Sequence, residues 1–322
     1  KGCILNSRIT WFFSEAYLLL GDGELRSLAR HGYEFLRDHC LDQKEGGIFW
    51  SLSYDGTPED TTKHTYNQAF AVYALSAYYE ASGDEEALLL AKELFSLIEG
   101  RCRDDAGYLE AFTREFAPES NEKLSENGVL AERTMNTLLH VLEAYTQLYR
   151  VSGMPEVKDT LLWILDIFYE KVYNPALHRQ EVFFDADYHS ILDLHSYGHD
   201  IETAWLVDRC LSVLMEPAYT ARFAPVTEDL TAEVQKKAFD GHSLANECDR
   251  GTVDESRVWW VQAEAVVGFL NGWQKDDTHT DYLAAACDLW DFIRDHVADP
   301  REGMEWYWMV RADGSPVEGR PV

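Results

Sequence analysis

Four segments of the chain are written in one grammar. LLLGDGELRSLARHGYEFL starts near Leu18, YEASGDEEALLLAKELFSLI near Tyr79, YRVSGMPEVKDTLLWILDIF near Tyr149 and NGWQKDDTHTDYLAAACDLW near Asn271. Each closes a strongly apolar stretch, turns on Gly or Asp, and opens an amphipathic stretch with apolar residues at helical spacing. A degenerate copy fits around Met215 to Asp240. The turn glycines Gly21, Gly83 and Gly153 recur at roughly 60–70 residues, a period that marks stacked supersecondary units. A helix that is apolar on most sides is buried on most sides, and one with a single apolar face lies outside it. Alternating inner and outer helices therefore predict an all-α (α/α)6 barrel, a toroid of helical hairpins, over a single catalytic domain spanning 1–322. Five units are visible. The chain opens inside a unit's first helix, NSRITWFFSEAYLLL, so a terminal helix is expected beyond each end of the sequence. The competing layout is an open α-solenoid. Aromatic connectors such as EGGIFWSLSYDG and EGMEWYWMVRADG favour closure, with β-hairpin-like segments between units.

Charge narrows the partners. Asp and Glu number 57 against 28 Lys and Arg, a formal charge of −29. Nucleic acid and anionic membrane surfaces need the opposite balance. A neutral ligand fits, and aromatics at 13% offer flat faces with polar handles, a surface suited to carbohydrate. No run of apolar residues is long enough for a membrane helix. Cys3, Cys40, Cys102, Cys210, Cys248 and Cys287 form no C-x-x-C pair and read as reduced, buried small hydrophobes. With no signal-peptide pattern, the expected compartment is the cytoplasm.

The starts of the inner helices carry the chemistry. They read Asn6-Ser-Arg8, His64-Thr-Tyr-Asn-Gln68, Thr134-Met-Asn-Thr-Leu-Leu-His140, Gly198-His-Asp-Ile-Glu202 and Trp259-Trp-Val-Gln-Ala-Glu264. Polar and aromatic residues cluster there, and each helix turns apolar within one or two turns. Parallel inner helices would bring these starts to one mouth. Asn136 with His140 and Trp260 with Glu264 are spaced i,i+4, and His199 with Glu202 i,i+3, so each pair shares a helix face. Asp200 and Thr134 are also ordinary cap residues. There is no H-E-x-x-H, phosphate loop or nucleophile elbow, so neither metal nor cofactor is expected. What remains is His, Glu, Tyr, Arg and Trp, a set for proton transfer on a neutral polyol. His199, at a helix N-terminus, is disfavoured as imidazolium and suits a base.

The motifs KGCILNSRITWFF, KHTYNQAFA, NEKLSENGVLAERTMNTLLHVLEAY, SYGHDIE, WWVQAEAVVGFLN and EWYW resemble cellobiose 2-epimerases of the N-acylglucosamine 2-epimerase superfamily, over nearly the whole chain. The resemblance implies an (α/α)6 barrel without metal. It also implies inversion at C2 of the reducing-end glucose of β-1,4-linked disaccharides, through a cis-enediolate. It makes His199 one of two acid/base histidines, places His140 near O1 or O2 of the intermediate, and gives Arg8 the developing oxyanion. Tyr66, Asn136 and Glu202 would bind hydroxyls. Trp260 and Glu264 would line the sugar site with Trp205 beneath, and Trp306 or Trp308 would meet the second sugar. The family's partner histidine lies in a W-K-C-P-Y-H segment, expected after Val322, and Arg257-Val258 stands where relatives often carry a His. No role is assigned to His195 or His242. The alternatives are an aldose–ketose isomerase of the mannose/fructose type, an N-acylglucosamine 2-epimerase, a glycoside hydrolase using Glu202 and Glu264, and a sugar-binding protein without turnover. A monomer or weak homodimer is expected.

Overall fold

The computed structural model describes residues 2–122 and 128–317. Lys1, the Lys123–Asn127 part of the third motif quoted above, the tail to Val322 and the W-K-C-P-Y-H segment expected beyond it lie outside the described residues. Among the described residues, ten α-helices form five hairpins. These are α1 (Cys3–Leu20) with α2 (Gly23–Phe35), α3 (Thr65–Ser82) with α4 (Glu85–Arg101) and α5 (Met135–Ser152) with α6 (Pro155–Ile167), then α7 (Tyr197–Leu214) with α8 (Pro217–Ala238) and α9 (Trp259–Lys275) with α10 (Thr280–Phe292). The turns match the repeat read from the sequence. Gly21, Gly83 and Gly153 close α1, α3 and α5 in the left-handed conformation, where a Cβ is costly. Met215 takes the same backbone geometry after α7 without being glycine, which explains why that copy looked degenerate.

Two compact units are present. The first comprises Lys1–Ile167 with Phe183–His189, and the second Phe168–Val182 with Ser190–Val322. In the first, α1, α3 and α5 pack side by side, and α2, α4 and α6 pack on them. α3 is buried almost all round, and α4 buries one stripe, including Ala87, Ala91, Leu94 and Ile98. α1 departs from the expected inner helix: it packs on α2 and α3, and its remaining face exposes Leu5, Phe12 and Leu19. In the second unit α7 packs on α9, α8 on α7 and α10 on α9, around Ile201, Val234, Val261, Phe269 and Leu289.

The connectors decide where the inner helices begin. Each inner helix after α1 is preceded by a two- or three-residue strand that pairs antiparallel with the connector following the next outer helix. Lys63–His64 pairs with Ala111–Phe112 and Arg133–Thr134 with Phe183–Phe184, both in the first unit. Leu194–Ser196 pairs with Glu247–Asp249 and Arg257–Val258 with Met309–Val310, both in the second. A buried base in three of these strands reaches a carboxylate in an outer-helix turn. Lys63 Nζ donates to Asp42 at 3.1 Å, Arg133 to Asp104 at 2.6 Å and Arg257 to Asp240 at 2.7 Å. Each of those aspartates also accepts backbone N–H bonds within its own turn, from Lys44 and Glu45, from Ala106 and Gly107, and from His242 and Ser243. Before α7 the corresponding base is His195, whose Nε2 lies 2.8 Å from Asp200.

The expectation that all six cysteines are buried is corrected. Cys3, Cys40, Cys102 and Cys210 are buried, but Cys248 is half-buried and Cys287 exposed, because Cys287 falls on the outward face of the amphipathic α10.

Candidate active site

The clamped strands put the inner helices in a common register. The residues capping the five helices are Gly2, His64, Thr134, Ser196 and Val258. Two residues past the cap stand Ile4, Tyr66, Asn136, Gly198 and Trp260, and six past it Arg8, Phe70, His140, Glu202 and Glu264. The positions four past the cap do different work. Gln68 and Gln262 each hold a connector backbone at both ends, at Ile48 and Leu244, and Asp200 accepts from the Gln180 backbone and side chain. Site candidates and scaffold contacts thus fall on different faces of the same helices, as a period of 3.6 dictates.

The first unit assembles one group of candidates. Arg8 donates to the Tyr66 hydroxyl at 3.2 Å, and its guanidinium sits 4.4 Å over the Phe70 ring. The His140 ring meets Tyr66 edge-on at 5.0 Å and Phe70 at 4.8 Å. His140 Nδ1 lies 2.9 Å from Glu143 Oε2, the imidazole buried and the carboxylate partly so. Burial pushes the His140 pKa down and Arg8 lowers it further, while the Glu143 carboxylate pulls it up. Asn136 sits one turn earlier on α5, and its buried Oδ1 has no hydrogen-bond partner among the described residues. The helix itself is capped twice: Thr134 Oγ1 accepts from Thr137 N at 3.0 Å, and buried Glu110 accepts from Thr134 N and the Thr137 hydroxyl at 2.7 and 2.6 Å.

The second unit assembles the rest. His199 Nδ1 is 2.7 Å from Ser196 Oγ, and its ring lies 4.9 Å from the Trp260 ring. Gly198 makes that approach possible, since a Cβ there would meet Trp260 and Val261 at 2.6–2.8 Å. Glu202 is buried one turn further along α7. The Trp205 indole donates to Glu264 at 2.9 Å, which fixes both side chains. Trp306 and Trp308 stand edge-on to Trp259, at 6.0 and 6.5 Å. Asp200 does not cap its helix: it is buried against His195 and Gln180. The residues that sequence reasoning missed are Phe70, Glu143, Ser196 and Trp259. Phe70 could have been found by extending the register through Arg8 and His140, and Glu143 by its i,i+3 spacing from His140.

The model of the N-acylglucosamine 2-epimerase family matches residues 1–321. A cellobiose 2-epimerase of Eubacterium cellulosolvens is 49% identical, with 98% of this chain and 82% of that protein covered. A sugar epimerase crystal structure from a ruminal bacterium superposes with a TM-score of 0.96 at 46% identity, covering 98% of this chain and 81% of the other. The cellobiose 2-epimerase structure from Bacillus thermoamylovorans B4167 gives 0.94 at 43%, covering 99% and 82%. These solved relatives are helical barrels, and the expected all-α class holds for this chain. A D-mannose isomerase of Marinomonas mediterranea stands further off, at 26% identity, with 94% of this chain and 77% of that protein covered. From Lys1 to Pro321, therefore, the chain belongs to the N-acylglucosamine 2-epimerase family.

Proposed function

We propose that this chain is a sugar 2-epimerase that interconverts glucose and mannose configuration at the reducing end of cellobiose-like disaccharides, working as one catalytic domain over 1–322. The observation that carries the reading is the shared register. In the first unit one helix position supplies Arg8, Phe70 and His140, with the Tyr66 ring against His140, and in the second the same position supplies Glu202 and Glu264. The relatives above make the ligand a sugar, and their identity places the cellobiose reading ahead of the mannose isomerase one.

In the proposed chemistry the ring-opened sugar presents an aldehyde at C1. A histidine base takes the proton from C2, and the C2–H electron pair becomes the C1=C2 bond as O1 takes the negative charge. Rotation about C2–C3 and return of a proton to the opposite face of C2 gives the epimer, with no net change in atoms or electrons. His199 is the proton carrier, and its Ser196 contact suits it, because a hydroxyl can either donate to the ring or accept from it. Arg8 stabilises the oxyanion. Tyr66, Asn136 and Glu202 hold hydroxyls, Trp260 stacks on the sugar, and Glu264 is steadied by Trp205. Trp306 and Trp308 receive the second sugar.

The test is incubation of the protein with cellobiose. Glucosyl-mannose is the expected product. Glucosyl-fructose would instead establish the isomerase, and free glucose a hydrolase. His199→Ala is expected to lower turnover by about 10³-fold while leaving sugar binding within a few-fold.

A further inference from the structure

The two histidines proposed for the site are held in different ways. His199 meets a hydroxyl, whose hydrogen rotates to suit either ring state. His140 meets a carboxylate, which accepts only. With His140 Nδ1 2.9 Å from Glu143 Oε2, and the two side chains 7% and 12% exposed, the neutral ring places its proton on Nδ1 and donates it to Glu143. Nε2 is then the ring's acceptor nitrogen. An exposed i,i+3 pair on a helix would carry little meaning, but a carboxylate this far out of water must keep a donor. The edges that pack on the ring, Tyr66 and Phe70 from α3, fix its plane, so the carboxylate sets the tautomer without also having to hold the ring in place.

We infer that Glu143 is a positioning residue that locks His140 in its Nδ1–H tautomer, so that His140 receives a hydroxyl hydrogen of the sugar at Nε2 rather than donating one. This rests on the epimerase reading for its consequence, though not for its geometry. In the enediolate, O1 carries the charge and O2 keeps its hydrogen. A ring that accepts is matched to the hydroxyl O2–H, and the cation Arg8 to the oxyanion. A ring with Nε2–H would compete with Arg8 for O1 and leave O2–H without an acceptor.

The experiment is nitrogen NMR on protein labelled with 15N-histidine, the His140 signals being assigned by their loss in His140→Asn. Charged or titratable groups facing the ring are Glu143 on its own helix, Arg8 from α1 and Tyr66 from α3. The parent is expected to show Nδ1 protonated and Nε2 bare in the neutral ring. Glu143→Leu is expected to populate the Nε2–H form and to lower kcat on the order of 10²-fold with KM within about threefold. Glu143→Gln keeps the shape and an acceptor oxygen, so it is expected to retain the Nδ1–H form while its His140 titrates at lower pH than in the parent. This second variant reads the proposal if the leucine variant does not fold. An Nε2–H ring in the parent overturns the inference, as does an unchanged tautomer and kcat in Glu143→Leu, or an unmoved titration in Glu143→Gln. Absence of sugar turnover beside an Nδ1–H ring overturns the epimerase reading and supports the tautomer assignment.

Discussion

Glu110 places a buried carboxylate at the start of the helix that carries Asn136 and His140. Burial pushes its pKa up to about 7, against the pull of hydrogen bonds from Thr137 and Thr134 and of the nearby Arg133 guanidinium. A carboxyl group whose folded value lies above its ordinary 4.5 binds its proton more tightly in the folded state than in the unfolded chain. Its stabilising share is therefore greatest below about pH 4.5 and is lost as pH rises through about 7, a swing on the order of 3 kcal/mol. Glu110→Gln, neutral throughout, removes that slope. Thermal melts near pH 5 and near pH 8 are expected to differ less in the variant than in the parent. An equal or larger difference would refute the assignment. The protonated acid can still donate to the Thr137 hydroxyl, so the cap itself survives either state.

At the scale of the element, close approach between α7 and α9 depends on two positions without side chains. Gly198 lies under the Trp260 ring, and a Cβ at Gly268 would meet Ile201 at 2.3 Å. Gly198→Ala is expected to displace Trp260 and to cost about 1–3 kcal/mol as overpacking. Because Trp260 also meets His199, the substitution should lower kcat/KM by more than the drop in melting temperature accounts for. A variant that loses stability yet keeps full kcat/KM would show that Trp260 does not matter to the sugar. The helices and their starts were legible because a 3.6-residue apolar period is a local signal. The polar helix starts that hold Arg8, Tyr66, His140, His199, Glu202, Trp260 and Glu264 were visible for the same reason, while the choice among their residues rests on the family resemblance. The clamps were not legible. Lys63 finds Asp42, and Arg257 finds Asp240, across segments whose pairing no local pattern encodes. Glu143 was passed over because an i,i+3 Glu beside a His reads as a surface pair until its burial is known. Asp200 was read as a possible cap because its partner His195 comes from a strand, and a strand of three residues has no period to detect.

Over the whole molecule, acidic residues outnumber basic ones two to one, with a net charge of −29. Such an excess repels itself in the compact state, while the Lys63–Asp42 pair, buried on both sides, is screened little by salt. Raising sodium chloride from about 10 mM to about 0.5 M shortens the Debye length from about 30 Å to about 4 Å and is expected to raise the melting temperature by a few degrees. A fall would mean that surface ion pairs outweigh the repulsion. The register of the inner helices has a further consequence. On α3, α7 and α9 the letters that build the scaffold, four past the cap, are separate from most of those proposed to meet a ligand, two and six past it. A substitution in the second set leaves those connector contacts intact, so its cost to the fold is confined to the packing of the substituted side chain itself. Each helix start is in effect a tool head on a fixed shank, and libraries at the half-buried Tyr66, Asn136, Trp260 and Glu264 would sample new preferences at less cost to the fold than changes at buried Phe70 or Glu202.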